Sequence, residues 1–341
     1  MSNPLRAVLA GCGGISQSWL KGAQEIPDLH IVGLVDLLEA NARKRAEQFD
    51  LTAVEIGSDL TVMLDQQQPD MVFDCTIPEA HVDVTLEALR HGCHVLGEKP
   101  LADSLENARR MLAAAQAAGK FYAVMQNRRY AADIRAVQAF LKDGGIGPLT
   151  TINSDFYLGP HFGGFRDEMQ HVLLLDMAIH TFDQARFLAG SDPVAVYCKE
   201  WNPAGSWYAH GASAVAVFEM SDGSVCTYRG SWCAEGLPTT WESEWRIIGQ
   251  QGSLRWDGGI EMQAETARLT GSFFSEHQPV SIAPYSGPHT GGHAGLLRNF
   301  IDCVQTGRTP DTICTDNIKS LAMVFGAIQS AETGQRVEIV I

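Results

Sequence analysis

The sequence predicts an α/β protein of two domains, a parallel sheet wound with helices followed by a second α/β domain on an antiparallel sheet. Three observations carry this expectation. From Leu5 to about Gln126, short apolar runs alternate with amphipathic helical segments, the pattern of parallel strands joined by right-handed crossovers. Further along, strands follow one another without helices between them, as in an antiparallel sheet. The length of 341 residues fits two domains, here 1–126 and 127–341.

Composition narrows the classes of function. Hydrophobic residues make up 45% and charged residues 19%, the balance of a soluble globular chain with a large core. The 25 basic and 40 acidic residues leave a net charge of −15. Such a field opposes nucleic acid and anionic membranes, and neither is expected as a partner. No stretch is long and apolar enough to span a bilayer. The eight cysteines show no C-x-x-C pair and no zinc-type spacing. Several sit in apolar runs, where cysteine behaves as a small hydrophobe. A reduced, cytoplasmic setting is expected, with no metal. Leu9-Ala10-Gly11-Cys12 has the form of a lipoprotein cleavage site, but the apolar run from Ala7 to Ala10 is too short for a signal sequence.

In chain order, Leu5–Ala10 reads as a strand, Ile15–Ile26 as a helix and His30–Val35 as a strand. Helices at Glu39–Phe49 and Leu60–Gln67 precede a strand at Met71–Thr76 and a helix at Val82–His91. Cys93–Glu98 is a strand. A helix from Asp103 to Ala118 has Glu106 placed for a capping box and Gly119 as its stop. Phe121–Gln126 closes the series.

Between the first strand and helix lies Gly11-Cys12-Gly13-Gly14-Ile15-Ser16. Gly11 permits a tight turn and Gly13 lets the backbone approach a pyrophosphate, while Ser16 stands where Gly or Ala is usual. The helix behind the loop turns free N–H groups toward phosphates. A lone glycine-rich turn can be simply a sharp turn. Asp36, at the end of the next strand and 25 residues after Gly11, favours the dinucleotide reading. A carboxylate there accepts hydrogen bonds from the adenosine ribose and repels a 2′-phosphate. Leu37 and Leu38 offer no cation, and Arg43 is a helical turn or more away. NAD is therefore expected over NADP. The alternative is that Asp36 caps the next helix.

Val95-Leu96-Gly97-Glu98-Lys99-Pro100 ends an apolar strand in a carboxylate, an ammonium group and a proline. Lysine is rarely buried without a partner. Pro100 pushes Lys99 into extended backbone, which presents its ammonium group at the carboxyl edge of the sheet, where open α/β folds bind ligands.

After a helix near Ala132–Lys142, candidate strands are Leu149–Tyr157, Val194–Trp201, Ala212–Met220, Val225–Cys233, Ser243–Gly249 and Ser253–Trp256. Ser221-Asp222-Gly223 and Gln250-Gln251-Gly252 are hairpin signals. Helices return at about Gly295–Gln305 and Asp316–Glu332, and Arg336–Ile341 is a candidate final strand. The helix Val172–Ala189 is apolar on most faces but carries Asp176 and His180, four residues apart, with Asp183 a turn further on. A polar stripe on a buried helix needs partners. A structural network, such as Asp176 with an arginine, is one outcome and catalysis the other.

Together these residues resemble the motif series of the Gfo/Idh/MocA oxidoreductases, the relatives of glucose–fructose oxidoreductase and inositol dehydrogenase. The motifs are the Gly11–Ser16 loop, Asp36, Thr76-Ile77-Pro78-Glu79-Ala80-His81, Glu98-Lys99-Pro100, Gln126-Asn127-Arg128-Arg129-Tyr130 and Asp176-Met177-Ala178-Ile179-His180-Thr181-Phe182-Asp183. The resemblance implies a Rossmann domain and a C-terminal domain with a large, mostly antiparallel sheet. It implies cofactor contacts at Gly11, Gly13, Gly14, Ile15, Asp36, Thr76, Pro78, His81, Glu98, Lys99 and Asn127. Lys99, Asp176 and His180 are the implied catalytic set. Two departures, Gln170-His171-Val172 in place of three glycines and Glu79 in place of asparagine, leave the substrate unassigned.

The expected reaction moves a hydride from a secondary alcohol carbon of a sugar, polyol or cyclitol to the nicotinamide, and a proton from its hydroxyl. His180 is the expected base, its ordinary pKa being nearest working pH. Lys99 would stabilise developing alkoxide charge, and Asp176 would orient the hydroxyl or Lys99. Which of Lys99 and His180 takes the proton stays open. Substrate-side candidates are Arg128, Tyr157, His161, Arg166, His171 and Trp232; the loop His161–Arg166 is read as a cover, and His171 equally as a helix-start residue. Alternatives are an NAD-dependent redox-neutral glycosidase, a metal-dependent enzyme using His171, Asp176 and His180, and a non-catalytic sugar sensor. A homodimer or homotetramer is expected, because a large sheet leaves one face to cover.

Overall fold

The computed structural model describes residues 4–341. The chain forms two compact units: one runs to Tyr130 and adds Gly287–Ile318, and the other comprises Ala131–Ser286 and Lys319–Ile341.

The first unit opens with β1 (Leu5–Ala10), α1 (Ser16–Gln24), β2 (Leu29–Val35), α2 (Glu39–Gln48), β3 (Glu55–Gly57), α3 (Leu60–Gln67) and β4 (Met71–Asp74). It continues with α4 (His81–Arg90), β5 (His94–Gly97), α5 (Leu105–Ala118) and β6 (Tyr122–Val124). The six strands pair in parallel in the order β3-β2-β1-β4-β5-β6. β4 and the last four residues of β1 are buried, which is why Ala7–Ala10 and Met71–Phe73 read as unbroken apolar runs rather than alternating ones. The strand order reverses between β1 and β4, so the crevice at their carboxyl ends is the topological switch point. α5 begins later than its sequence suggests. The hydroxyl of Ser104 accepts from the Asn107 amide at 3.2 Å, so the third helical position is Asn107 and the box through Glu106 does not form.

The second unit contributes α6 (Ala132–Lys142), β7 (Leu149–Tyr157), a π-helical turn at Leu173–Ala178 and α7 (Ile179–Ala189). β8 (Pro193–Trp201), β9 (Ser213–Met220), β10 (Val225–Ser231), β11 (Glu244–Gly249), β12 (Gly252–Trp256), β13 (Met262–Arg268) and β14 (Glu276–Val280) follow. α8 (His293–Thr306), α9 (Cys314–Thr333) and β15 (Val337–Glu338) complete the chain. The second sheet has nine strands in the order β14-β13-β12-β11-β7-β10-β9-β8-β15. β7 and β10 pair in parallel, and the other neighbours are antiparallel. β9 alternates strictly from Ala214, with Ala214, Ala216, Phe218 and Met220 buried and Val215 and Val217 turned out. β13 and β14 escape sequence reading because both are polar and mostly exposed. Of the expected final strand, Val337 and Glu338 pair with β8, and the Ile339 amide adds a bond to the Val194 carbonyl at 2.9 Å.

The division expected between residues 126 and 127 differs from the observed units in two places. The 3-10 turn Asn127–Tyr130 and the returning α8 both belong to the first unit. α8 inserts Leu296, Leu297, Phe300 and Ile301 into the same core as Trp19, Leu20 and Tyr130. Gly22 permits this approach. A Cβ there would lie 2.8 Å from the Leu297 side chain.

Candidate active site

In the first unit, the glycine loop follows β1. Gly11 has φ +87°, and a Cβ on it would lie 2.6 Å from the carbonyl of Cys75 at the end of β4. Only glycine fits there. Gly13 and Gly14 instead face open space, and a Cβ on either would meet nothing within 4 Å. The loop is tied from below: Ser16 Oγ donates to the Gly13 carbonyl at 2.6 Å, and the buried Arg45 guanidinium donates to the same carbonyl at 2.9 Å and to Ser16 Oγ at 3.0 Å. Ser16 thus fills its unusual place with a bond, and Arg45 is a supporting residue that sequence reading missed. Ile15, partly exposed, precedes α1, and its side chain makes no capping bond.

A cavity of about 420 Å³ opens at the switch point, lined among others by Gly11, Gly13, Asp36, Leu37, Thr76 and Ile77. Asp36 has two duties. Its Oδ2 accepts from the Cys12 amide at 2.8 Å, latching the loop to β2, and its Oδ1 accepts from the Leu38 amide at 2.9 Å and Asn41 Nδ2 at 3.0 Å. These bonds form a turn ahead of α2, whose N-cap is Leu38 and whose first turn receives no side-chain cap, so the helix-capping alternative is not realised, and Asp36 lines the cavity.

Beneath Thr76 lies a buried polar cluster. Asp74 Oδ1 accepts from the Thr76 amide at 3.0 Å and hydroxyl at 2.5 Å, and its Oδ2 meets His81 Nδ1 at 2.9 Å. His81 begins α4 behind the turn Pro78–Ala80. Burial alone would lower its pKa, but the Asp74 charge and hydrogen bond outweigh it, so the net shift is upward. Glu98 accepts from the Trp19 indole at 2.6 Å and from the Lys99 amide at 3.0 Å. Burial raises its pKa against those bonds. His81 and Glu98, expected to touch a cofactor, are therefore almost wholly buried side chains that brace the switch point. Lys99 follows β5, half-buried, with a cis peptide to Pro100. Asn127 Nδ2 lies 3.4 Å from Nδ1 of His293 at the start of α8, and Arg128 is partly exposed in the same turn. Burial lowers the His293 pKa. No motif marked His293.

In the second unit, the expected helix Val172–Ala189 opens as the π-helical turn, a feature frequent at functional sites. Asp176 sits in that turn and His180 in the first turn of α7, largely buried. Asp176 Oδ2 accepts from Arg166 Nε at 2.6 Å, so the arginine pairing that sequence reading weighed against catalysis is present. Asp183 points elsewhere: it is 1% exposed and accepts from Ser320 of α9 at 2.7 Å.

Four substrate-side candidates gather near the ends of β7 and β10. Tyr157 ends β7 opposite Ser231, one residue before Trp232. Burial raises its phenol pKa. Trp232 is buried, stacked on Tyr208 at 6.2 Å and met edge-on by Phe162 at 5.6 Å. Its indole N–H has no hydrogen-bond partner. His161 stacks on Trp207 with centroids 3.8 Å apart. Arg166 lies over Phe162 and Phe165 at 5.1 and 4.6 Å. His171 does not join them, because its ring is turned to Glu200 at 2.5 Å and Glu332 at 3.5 Å. Trp245 and Trp256 are buried and stack on each other as sheet packing. Among the described residues no three His, Cys, Asp or Glu side chains are grouped to hold a metal, and no helix is long and apolar enough to cross a membrane.

Comparison with known proteins agrees with this architecture. Residues 5–126 match the family model described as "Oxidoreductase family, NAD-binding Rossmann fold", and residues 134–255 match the Gfo/Idh/MocA C-terminal domain. A D-apiose dehydrogenase of Paraburkholderia graminis is 28% identical, with 98% of this chain and 89% of the relative covered. An inositol 2-dehydrogenase of Rhizobium meliloti is 24% identical over 98% of this chain and 99% of its own. A crystal structure of an oxidoreductase from Agrobacterium radiobacter, in complex with NAD+, L-tartaric acid and magnesium, superposes with a TM-score of 0.86 at 21% identity, covering 99% of both chains.

Proposed function

Because this chain belongs to the Gfo/Idh/MocA family of oxidoreductases, we propose that it transfers a hydride between a secondary hydroxyl of a sugar, polyol or cyclitol and the nicotinamide of NAD. The observation that carries the cofactor half is the switch-point cavity. Gly13 and Gly14 leave room for a pyrophosphate beside the start of α1, and Asp36 stands at the rim. Around that rim Leu37 is 90% exposed, and Arg43 is paired with Glu39. A carboxylate without a compensating cation favours NAD over NADP. When bound, the dinucleotide supplies the hydride acceptor.

The chain's own residues do the rest. Gly11, Gly13, Gly14, Ile15, Asp36, Thr76 and Pro78 shape the cofactor site, with Asn127 beside it, and His81 and Glu98 brace it from behind. His180 takes the proton from the substrate hydroxyl at an imidazole nitrogen. Lys99 donates to the same oxygen and stabilises its developing negative charge. Asp176, held by Arg166, orients the hydroxyl. The apolar faces of Trp232, Tyr157 and Phe162 suit the C–H faces of a carbohydrate ring, with Arg128, Arg166 and His161 as polar contacts. The reading requires Lys99 and His180 to act on one alcohol. The aromatic and β-branched residues on the outer face of the nine-stranded sheet, Tyr197, Trp201, Val215 and Val217, favour burial against a second copy, in a homodimer or homotetramer.

The test is an NADH-absorbance screen across sugars, inositols and sugar acids with both cofactors. Stoichiometric NADH from at least one of them, with NAD preferred, is the expected result. Glycoside cleavage without net NADH points to the redox-neutral reaction, and a clear preference for NADP overturns the cofactor assignment.

A further inference from the structure

His171 has a backbone conformation that its residue type rarely adopts. Its φ is +50°, in the left-handed region that glycine enters freely and a Cβ-bearing residue enters at a cost. The strain sits two residues before the π-helical turn that carries Asp176, and the His171 carbonyl accepts from the Leu175 amide at 2.9 Å, which ties the residue to the start of that turn. The family resemblance would put glycine here. The side-chain contacts of the histidine offset that cost.

The imidazole is held from two directions. Nδ1 meets Glu200 Oε2 of β8 at 2.5 Å, and Nε2 meets Glu332 Oε1 of α9 at 3.5 Å. Glu200 is mostly buried, and its second oxygen, Oε1, is buried with no hydrogen-bond partner. Gly211 makes room for it, since a Cβ there would lie 2.6 Å from the carboxyl carbon. Glu332 is largely exposed, so its share is screened. The neighbouring His210 bonds the amide of Gln170 rather than His171.

A buried carboxylate with one bonded oxygen is tolerated while its partner is charged and becomes costly when the partner is neutral. We propose that His171 is a positioning residue, whose imidazolium, clamped by Glu200 and assisted by Glu332, fixes the entrance of the catalytic helix and thereby the orientation of Asp176 and His180. This rests on the functional reading above for its catalytic consequence, but not for the clamp itself. The Glu200 hydrogen bond, against the opposing effect of burial, raises the His171 pKa. The clamp is therefore complete below the ordinary histidine pKa of about 6.5 and is released as pH rises through the higher folded value.

His171→Gly separates backbone from side chain, because glycine keeps the left-handed turn while removing the clamp. With the best substrate from the screen, kcat is expected to fall by about fivefold or more with substrate KM within about twofold, the split that positioning produces. The wild-type decline in kcat above the histidine range is absent from the variant's profile. Glu200→Gln reproduces both changes, and Glu332→Gln has a smaller effect. A rise in KM with kcat unchanged would make His171 a substrate contact and overturn the proposal, as would a wild-type pH profile in His171→Gly. Hydrogen exchange of backbone amides 172–178, corrected for intrinsic rate, is the readout independent of activity. In the wild type these amides are expected to lose protection between about pH 6 and about pH 9, and in His171→Gly to be weakly protected at both. Unchanged protection in the variant refutes the clamp. Should the wild type oxidise nothing in the screen, the functional reading fails while the exchange experiment still decides the clamp.

Discussion

The glycine loop of the first unit and the His161–His180 segment of the second are the two stretches proposed to meet a ligand, and they are held by different means. Around Gly11 the backbone is fixed by backbone: β1 and β4 run side by side, and the Gly11 amide donates to the Val35 carbonyl at 2.8 Å. Arg45, Ser16 and Asp36 then lock the loop through main-chain atoms. Along His161–His180 most ties are side chain to side chain, Arg166 to Asp176, His171 to Glu200 and Phe162 to Trp232, with one long-range main-chain bond from the Ala209 amide to the Asp167 carbonyl at 2.7 Å. A site for a constant group such as a dinucleotide can be cut into the backbone. A site for a variable substrate is assembled from exchangeable side chains.

That contrast can be broken most forcefully at Gly11. Gly11→Ala places a methyl group against the Cys75 carbonyl at a positive φ, and is expected to cost about 3 kcal/mol or more and abolish cofactor binding. Gly13→Ala has free space; its melting temperature should match the wild type while NAD affinity falls. Equal melting temperatures for both variants would show that the loop is not backbone-determined.

Asp36→Ser comes next. It removes the charged acceptor of the Cys12 amide and the proposed acceptor of the ribose together. A loss of about 2 kcal/mol is expected, a rise of more than tenfold in the KM for NAD with NADP far less affected. An unchanged ratio of the two constants would sink the specificity assignment. In the second unit, Arg166→Ala breaks a partly exposed pair and should raise substrate KM about fivefold, near the 1 kcal/mol upper range for such pairs, leaving the KM for NAD alone. An unaltered substrate KM would show that the loop does not cover the substrate.

The smallest effect is on stability against pH. The pKa of buried His81 is raised by Asp74 over the opposing effect of burial, and that of Glu98 is raised mainly by burial. Both groups hold protons more tightly folded than unfolded. Their contribution is therefore full at low pH and declines as pH rises, for Glu98 from its ordinary carboxyl range upward and for His81 above about 6.5. Thermal melts of the wild type and His81→Gln across that span check the sign. The wild type should lose its advantage on the alkaline side, and a gain there would contradict the assignment.

The same contrast explains what the sequence made legible. Apart from the short strand β3, which the sequence reading lacks, the order of strands and helices up to β6, the loop at Gly11 and the place of Asp36 follow from glycine and proline chemistry and from apolar runs, which act locally. α8 joining the first core was not legible, because that depends on Gly22 meeting Leu297 across nearly the whole chain. Nor was the role of Arg45, whose helix reads as an ordinary charged surface until Gly13 is seen beneath it. Asp176 and His180 are conspicuous as polar residues on an apolar helix, but the π-helical turn that holds Asp176 leaves no pattern in spacing. In the sequence His171 shows only a departure from glycine, and its φ and its carboxylate partners are what point to the proposed clamp.

Whether Lys99 and His180 serve one alcohol is decided by single-turnover absorbance at 340 nm, the NADH band, with NAD bound at saturation. If they do, Lys99→Ala and His180→Ala bind NAD as the wild type does but form NADH more slowly, by about 10²–10⁴-fold for His180→Ala. A deuterium at the oxidised carbon should slow the wild type. Near-normal NADH formation in either variant, with cofactor bound, would show that the two side chains do not share a substrate.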